Sequence, residues 1–147
     1  MTTLLNPYLA FEREAREAMN FYHGVFGGDL VATTFAEGGM LHEPDEAERI
    51  MHSQLTTAEG HTIMASDTPA GAEAPARGQQ VSISGDDAHQ LTRYWEGLAE
   101  GARIVEPLAR APWGDTFGML VDRWGVTWMV SIAAPTGPAD AAGPPAG

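Results

Sequence analysis

Cysteine is missing from all 147 residues. Its absence excludes disulfides, thiolate metal sites and cysteine nucleophiles together, and it leaves the redox compartment open. Positive charge is scarce. Eight Lys plus Arg stand against 20 Asp plus Glu, a formal net charge of −12. A field of that sign repels phosphate backbones and anionic lipid, which argues against nucleic acid and membrane surfaces as partners. No stretch approaches the ~20 apolar residues of a membrane span. The N-terminus, MTTLLNPYLAFERE, lacks the basic and apolar regions of a signal peptide. A cytoplasmic protein is the expectation. Also missing are a Ser-His-Asp order, an HExxH pair, a P-loop and carboxylates paired at hydrolase-like positions.

What is present reads as one domain, or as two small halves sharing a core. Leu4 to Phe11 is apolar and aromatic and predicts a strand, with Pro7 marking an edge or a strand start. From Arg13 to Phe26, Ala15, Ala18, Met19, Tyr22, Val25 and Phe26 recur at spacings of three and four, which predicts an amphipathic helix. Gly27-Gly28 ends it. Asp29 to Phe35 predicts a strand, residues 36–48 a long polar loop, and Arg49 to Thr57 with His61 to Ser66 a hairpin. Residues 68–78, TPAGAEAPARG, read as a linker.

After the linker the order repeats. Gln79 to Ser84 predicts a strand, and Asp86 or Asp87 is the N-cap of a helix running to Ala99. Leu91, Tyr94, Trp95 and Leu98 form its buried stripe. Arg103 to Leu108, Thr116 to Val121 and Val126 to Ile132 complete three more strands, the last two a hairpin around Asp122-Arg123-Trp124-Gly125. Each half therefore reads strand, helix, strand, strand, strand. The expected organisation is a first βαβββ module over 1–67, a linker over 68–78, a second module over 79–133 and a disordered tail over 134–147.

Four stretches carry a resemblance. They are Ala18-Met19-Asn20-Phe21-Tyr22 with Val25-Phe26-Gly27-Gly28, Met51-His52-Ser53-Gln54-Leu55, Trp113-Gly114-Asp115 with Phe117-Gly118, and Asp122-Arg123-Trp124-Gly125-Val126-Thr127-Trp128. In this order they resemble the vicinal oxygen chelate superfamily (glyoxalase, bleomycin resistance, dioxygenase), and within it the PhnB-like branch. The resemblance spans roughly residues 4 to 133. It implies an α+β fold of two βαβββ modules, their mixed sheets curving around a cleft, in a homodimer. Some members of that branch carry a ubiquinone-pathway methyltransferase label. No Gly-rich turn here follows a strand and opens a helix, so the sequence gives that label no support.

Metal-dependent members of the superfamily hold one divalent cation with His and Glu side chains and leave positions open for substrate oxygens. Aligned without gaps, the usual ligand positions fall at Pro7, Gln80 and Met129. Proline has no side-chain donor, and the methionine thioether is too soft for Mg, Mn, Zn or Fe(II). No cofactor is expected, and a divalent metal is disfavoured. By the same analogy the cleft is lined by Leu9, Phe11, His52, Gln54, Gln80, Ser82, Thr127, Met129 and Ser131, and Trp113 closes over it or anchors its loop. Apolar walls with a few orienting polar groups suit a small organic ligand.

Each candidate also has a plainer role. His52 is a general base, a ligand for a relocated metal, or a hydrogen-bonded histidine in the cleft or the dimer interface. In that reading Ile50, His52 and Gln54 share one face. His42, beside Glu43 and Asp45, belongs to a solvated acidic loop or a loose metal site. His23, His61 and His89 read as surface residues. Asp67 is a carboxylate at the cleft mouth or shapes the turn into Thr68-Pro69, and Asp122 and Gly125 belong to a tight turn. Two functions compete: a non-catalytic small-molecule binder, and a lyase, isomerase or oxygenase-like enzyme built on His52. A third reading is a dimeric assembly component with a vestigial cleft.

Overall fold

The stripe at Ala15, Ala18, Met19 and Tyr22 is buried along its whole length in the computed structural model, which describes residues 5–39, 47–69, 72 and 79–134. It forms helix α1, Ala15–Phe26, packed on a sheet of β1 (Tyr8–Phe11), β2 (Asp29–Thr34), β3 (Ile50–Thr56) and β4 (Thr62–Asp67). The helix stops at Gly27. Gly28 follows with φ +88, and a Cβ there would collide with the backbone oxygen of Thr56, so only glycine lets the chain turn this closely against β3. The second half repeats the order with β5 (Gln80–Gly85), α2 (Ala88–Ala99), β6 (Arg103–Arg110), β7 (Thr116–Val121) and β8 (Thr127–Ile132). Asp87 caps α2, its carboxylate accepting from the Gln90 N–H at 3.0 Å.

The chain divides into two compact units, Met1–Arg77 and Gly78–Gly147. Each contains one four-stranded mixed sheet, in the order β1-β4-β3-β2 and β5-β8-β7-β6. In both, the first and last strands pair in parallel and the rest antiparallel. The paired βαβββ architecture expected from the sequence is therefore the fold. Residues 40–46, most of 68–78 and the stretch from 135 onward, including the expected tail and the His42-Glu43-Asp45 cluster, lie outside the described residues.

One face of each sheet carries the helix. In the first unit that face presents Leu9, Phe11, Ile63, Ala65, Ile50 and Leu55, all buried. In the second it presents Leu120, Trp128, Val130 and Ile132 under Leu91, Tyr94, Trp95 and Leu98. Gly118 sits directly beneath Trp95, where a Cβ would lie 2.8 Å from the indole and 3.0 Å from the Leu108 Cα.

Two buried carboxylates hold the framework. Asp67, at the end of β4, accepts from the Ala15 N–H at 2.9 Å and from the Ile50 N–H at 2.8 Å. Residue Glu14, just before α1, makes no side-chain cap bond, so Asp67 is the group that satisfies the helix start. The expected places for Asp67, at a cleft mouth or shaping the turn to Pro69, give way to this one: its side chain is 4% exposed and faces the helix. Asp122 organises the β7–β8 turn. Its carboxylate accepts from the Trp124 and Val126 N–H groups at 2.9 and 3.0 Å and from the Trp128 indole N–H at 2.9 Å. Gly125, at φ +85, completes that turn.

Candidate functional site

Among the described residues no helix of the same unit packs on the opposite face of each sheet, and alternation along the strands decides what that face shows. In the first unit, β3 alternates Ser53 and Leu55 toward the helix with His52, Gln54 and Thr56 toward the open face. Ile50 breaks the parity. Thr33 pairs with His52 and Thr34 with Ile50, so Met51 bulges out. Ile50, fully buried, lies on the helix side and not with His52 and Gln54 as the unbroken alternation predicts.

The strand β1 corrects the expected lining. Leu9 and Phe11 are each 3% exposed and belong to the helix-side core. Neither can line a pocket on the His52 face; Tyr8 and Ala10 take that side. The Tyr8 hydroxyl lies 3.3 Å from His52 Nδ1, with the rings 5.9 Å apart. A row then runs across the open face from Tyr8 through Met64 and Gln54 to Val31, each paired with the next. Beside it a hollow of about 460 Å³ is lined by Asp29, Val31, Thr33, His52, Gln54 and Thr56. Gln54 Nε2 reaches Thr56 Oγ1 at 3.3 Å, which fixes the amide with its carbonyl oxygen still available.

In the second unit the residues of one parity come together as the sequence indicates. Gln80 pairs with Thr127, Ser82 with Met129 and Ser84 with Ser131. Met129 pairs in turn with Met119, and Ser131 with Phe117. The open face thus mixes hydroxyls and one amide with two thioethers and a phenyl ring. Sequence reasoning omitted Met119 and Phe117, although the hairpin register around Asp122–Gly125 contains the signal. Trp113 stands apart, 46% exposed in the β6–β7 turn. Neighbouring Asp115 anchors that loop, its carboxylate accepting from the Ala134 N–H at 2.9 Å.

Of the three expected ligand positions, Pro7 and Met129 present no hard side-chain donor. The Pro7 carbonyl already accepts from the Met64 N–H at 3.0 Å. Met129 offers only sulfur. Among the described residues no three His, Asp or Glu side chains converge. His52 has a phenol as its partner, not a second imidazole or a carboxylate.

The remaining titratable groups are framework or surface. His23, His61 and His89 are exposed, and His23 Nε2 meets the Gly28 carbonyl at 2.9 Å. Glu37 has its carboxyl held below the ordinary glutamate range, first by the Thr34 N–H and then by the Thr34 hydroxyl, each 3.0 Å from Oε1. The Glu37 N–H returns a bond to Thr34 Oγ1, the reciprocal arrangement of a capping box closing the turn after β2. No described helix is long and apolar enough to cross a membrane.

The Protein YjdN of Escherichia coli (strain K12) is 27% identical over 142 residues, covering 87% of this chain and 94% of that protein. The crystal structure of protein PA1353 from Pseudomonas aeruginosa superposes with a TM-score of 0.77 at 32% identity, over 91% of this chain and all of the other. The PhnB protein from Bacillus cereus superposes with a TM-score of 0.69 at 25% identity, over 89% of this chain and all of the other. The model of the Glyoxalase/Bleomycin resistance protein/Dioxygenase superfamily matches residues 4–130. With both βαβββ units present and most of the chain matched, this protein belongs to the glyoxalase/bleomycin resistance protein/dioxygenase superfamily.

Proposed function

We propose that this protein is a metal-independent, non-catalytic binder of a small organic molecule, acting as a homodimer in the cytoplasm. The observation that supports the reading is the make-up of the two helix-free faces. Half-buried apolar groups (Met64, Met119, Met129, Phe117) alternate there with neutral hydrogen-bonding groups (Gln54, Ser131, Thr127), while hard metal ligands are sparse. Thioethers adapt to varied ligand shapes, and a few fixed amides and hydroxyls orient the ligand. In this reading the ligand rests on one of these two faces, either the His52 hollow of the first unit or the Met129 face of the second, where Gln80 and Ser82 contribute polar contacts.

The test is thermal unfolding of protein purified without chelator or affinity histidines, against a panel of flat aromatic and amphipathic natural products, with and without EDTA. Metal content is measured on the same sample. Ligand binding to the native state raises apparent stability by about 2.7 kcal/mol at a hundredfold excess over Kd. Saturable stabilisation untouched by EDTA supports the reading. One tightly held ion per chain, with a matching shift that His52→Ala removes, overturns it.

The His52–Tyr8 contact favours one alternative. With Nδ1 against the phenol, Nε2 has no hydrogen-bond partner among the described residues and can exchange a proton with a substrate in the hollow. That makes His52 the base of a lyase or isomerase. Turnover abolished by His52→Ala with an unchanged fold would carry this alternative; unchanged turnover would end it.

A further inference from the structure

A second hollow, of about 470 Å³, lies in the second unit away from the Met129 face. Its walls include Asp86, Arg110, Thr116, Ile132, Ala133 and Ala134. Thr116 and Ile132 pair with each other, and Thr116 also pairs with Arg110. Thr116 shares its parity with Gly118 and Leu120, so the hollow opens on the helix side of the sheet, at its end.

Its charges are unusual. A guanidinium and a carboxylate line one small space, yet among the described residues neither side chain has an ion-pair or hydrogen-bond partner. Opposite charges that share a hollow without meeting leave two complementary sites, a donor fork and an anionic acceptor, over a floor of alanine and isoleucine. Arg110 offers planar paired donors that match a carboxylate, and Asp86 accepts from an ammonium group. The field of the whole molecule narrows the choice. At a net charge of −12 a free anion is repelled on approach, whereas a molecule carrying both charges is not. A simple cation gains from that field but meets Arg110.

We propose that this hollow binds a small zwitterion of the α-amino acid class, its carboxylate on Arg110, its ammonium on Asp86, and its side chain against Ile132 and Ala133. The Thr116 hydroxyl adds a bond to the carboxylate. Within its unit this site is separate from the Met129 face.

Calorimetric titration of the full chain with L-alanine, L-leucine and L-phenylalanine tests it, with acetate and methylammonium as single-charge controls. At least one amino acid is expected to bind saturably at one site per chain, while neither control does so at the same concentration. Arg110→Gln and Asp86→Asn are each expected to weaken binding about tenfold or more, as loss of a charge-assisted bond does. Both positions are exposed, and unchanged melting of the variants verifies that they fold. Acetate binding as tightly as the amino acids overturns the zwitterion assignment. So does amino-acid binding that both variants retain, or no saturable heat from any of the three.

Discussion

The two units share a frame and differ in what they mount on it. In each, the last residue of the opening strand accepts from the residue just after the closing strand: Phe11 from the Thr68 N–H at 2.8 Å, Gly85 from the Ala133 N–H at 2.7 Å. Counting inward from that clasp, Tyr8 matches Ser82, Met64 matches Met129, Gln54 matches Met119 and His52 matches Phe117. The open face of the first unit is thus a hydrogen-bonding surface around an imidazole, and that of the second is a sulfur and phenyl surface edged with hydroxyls. The helix sides diverge too. Asp67 matches Ile132, and Ser53, which donates to the Ala65 carbonyl at 2.8 Å, matches Gly118. One unit fastens its helix with a buried carboxylate. The other leaves room for an indole. Backbone pairing is what the repeat retains, and side chains on either face vary without disturbing it.

The sharpest way to break the contrast is at the carboxylates. Asp122→Ala would strand the buried Trp128 indole N–H and two turn amides. The expected loss is about 3 kcal/mol or more, read from urea unfolding. Asp67→Ala would free the Ala15 and Ile50 N–H groups in a dry site, with a loss of about 2 kcal/mol and the largest increase in amide exchange at the start of α1. Gly118→Ala presses a methyl on Trp95 and is expected to cost about 1–3 kcal/mol, because the rigid indole must shift. Grafting one face on the other, by His52→Phe, removes only the exposed hydrogen bond to Tyr8. Stability should change by about 1 kcal/mol or less, while ligand binding in the first unit is lost.

The smallest effect belongs to Glu37. Its folded carboxyl titrates below the unfolded value, so its contribution is present above the unfolded pKa of about 4.3 and is lost as pH falls through the depressed folded value. Glu37→Gln should flatten the acid limb of a stability–pH curve slightly and leave neutral pH alone. An unchanged acid limb would show that the Thr34 bonds do not persist in solution.

Much of the framework was legible because the relevant signals are local. The three-and-four spacing from Ala15 to Tyr22, the stops at Gly27-Gly28, the Asp87 cap and the alternation from Thr127 to Ile132 each depend on neighbours a turn or a strand away. The failures have equally definite causes. Leu4 to Phe11 is apolar in both parities, so its alternation does not say which side faces the helix. Pairing with β4 from Tyr8 onward decides it. The bulge at Met51 shifts the parity of Ile50, and no residue type announces a bulge of that kind. Asp67 reaches Ala15 across 52 residues, a partnership that only the folded chain can disclose. The open face of the second unit was readable because Met129 lies in a strand bounded by an unmistakable turn.

The parallel pairing of β1 with β4 also orders events in time. Tyr8 meets Met64 only after more than fifty intervening residues have been drawn together, whereas β3 and β4 need only a short turn. Closing the longer loop costs more entropy and is rewarded by a strand of four residues. The β3–β4 hairpin is therefore expected to form early and β1 to dock late, and the same short strand is the first to detach in native-state fluctuations. Amides of Leu9 and Ala10 that exchange no faster than those of Leu55 would contradict this order. If it holds, the phenol beside His52 is mounted on the least permanent strand of its sheet, and the hollow can open at that side without unfolding the unit.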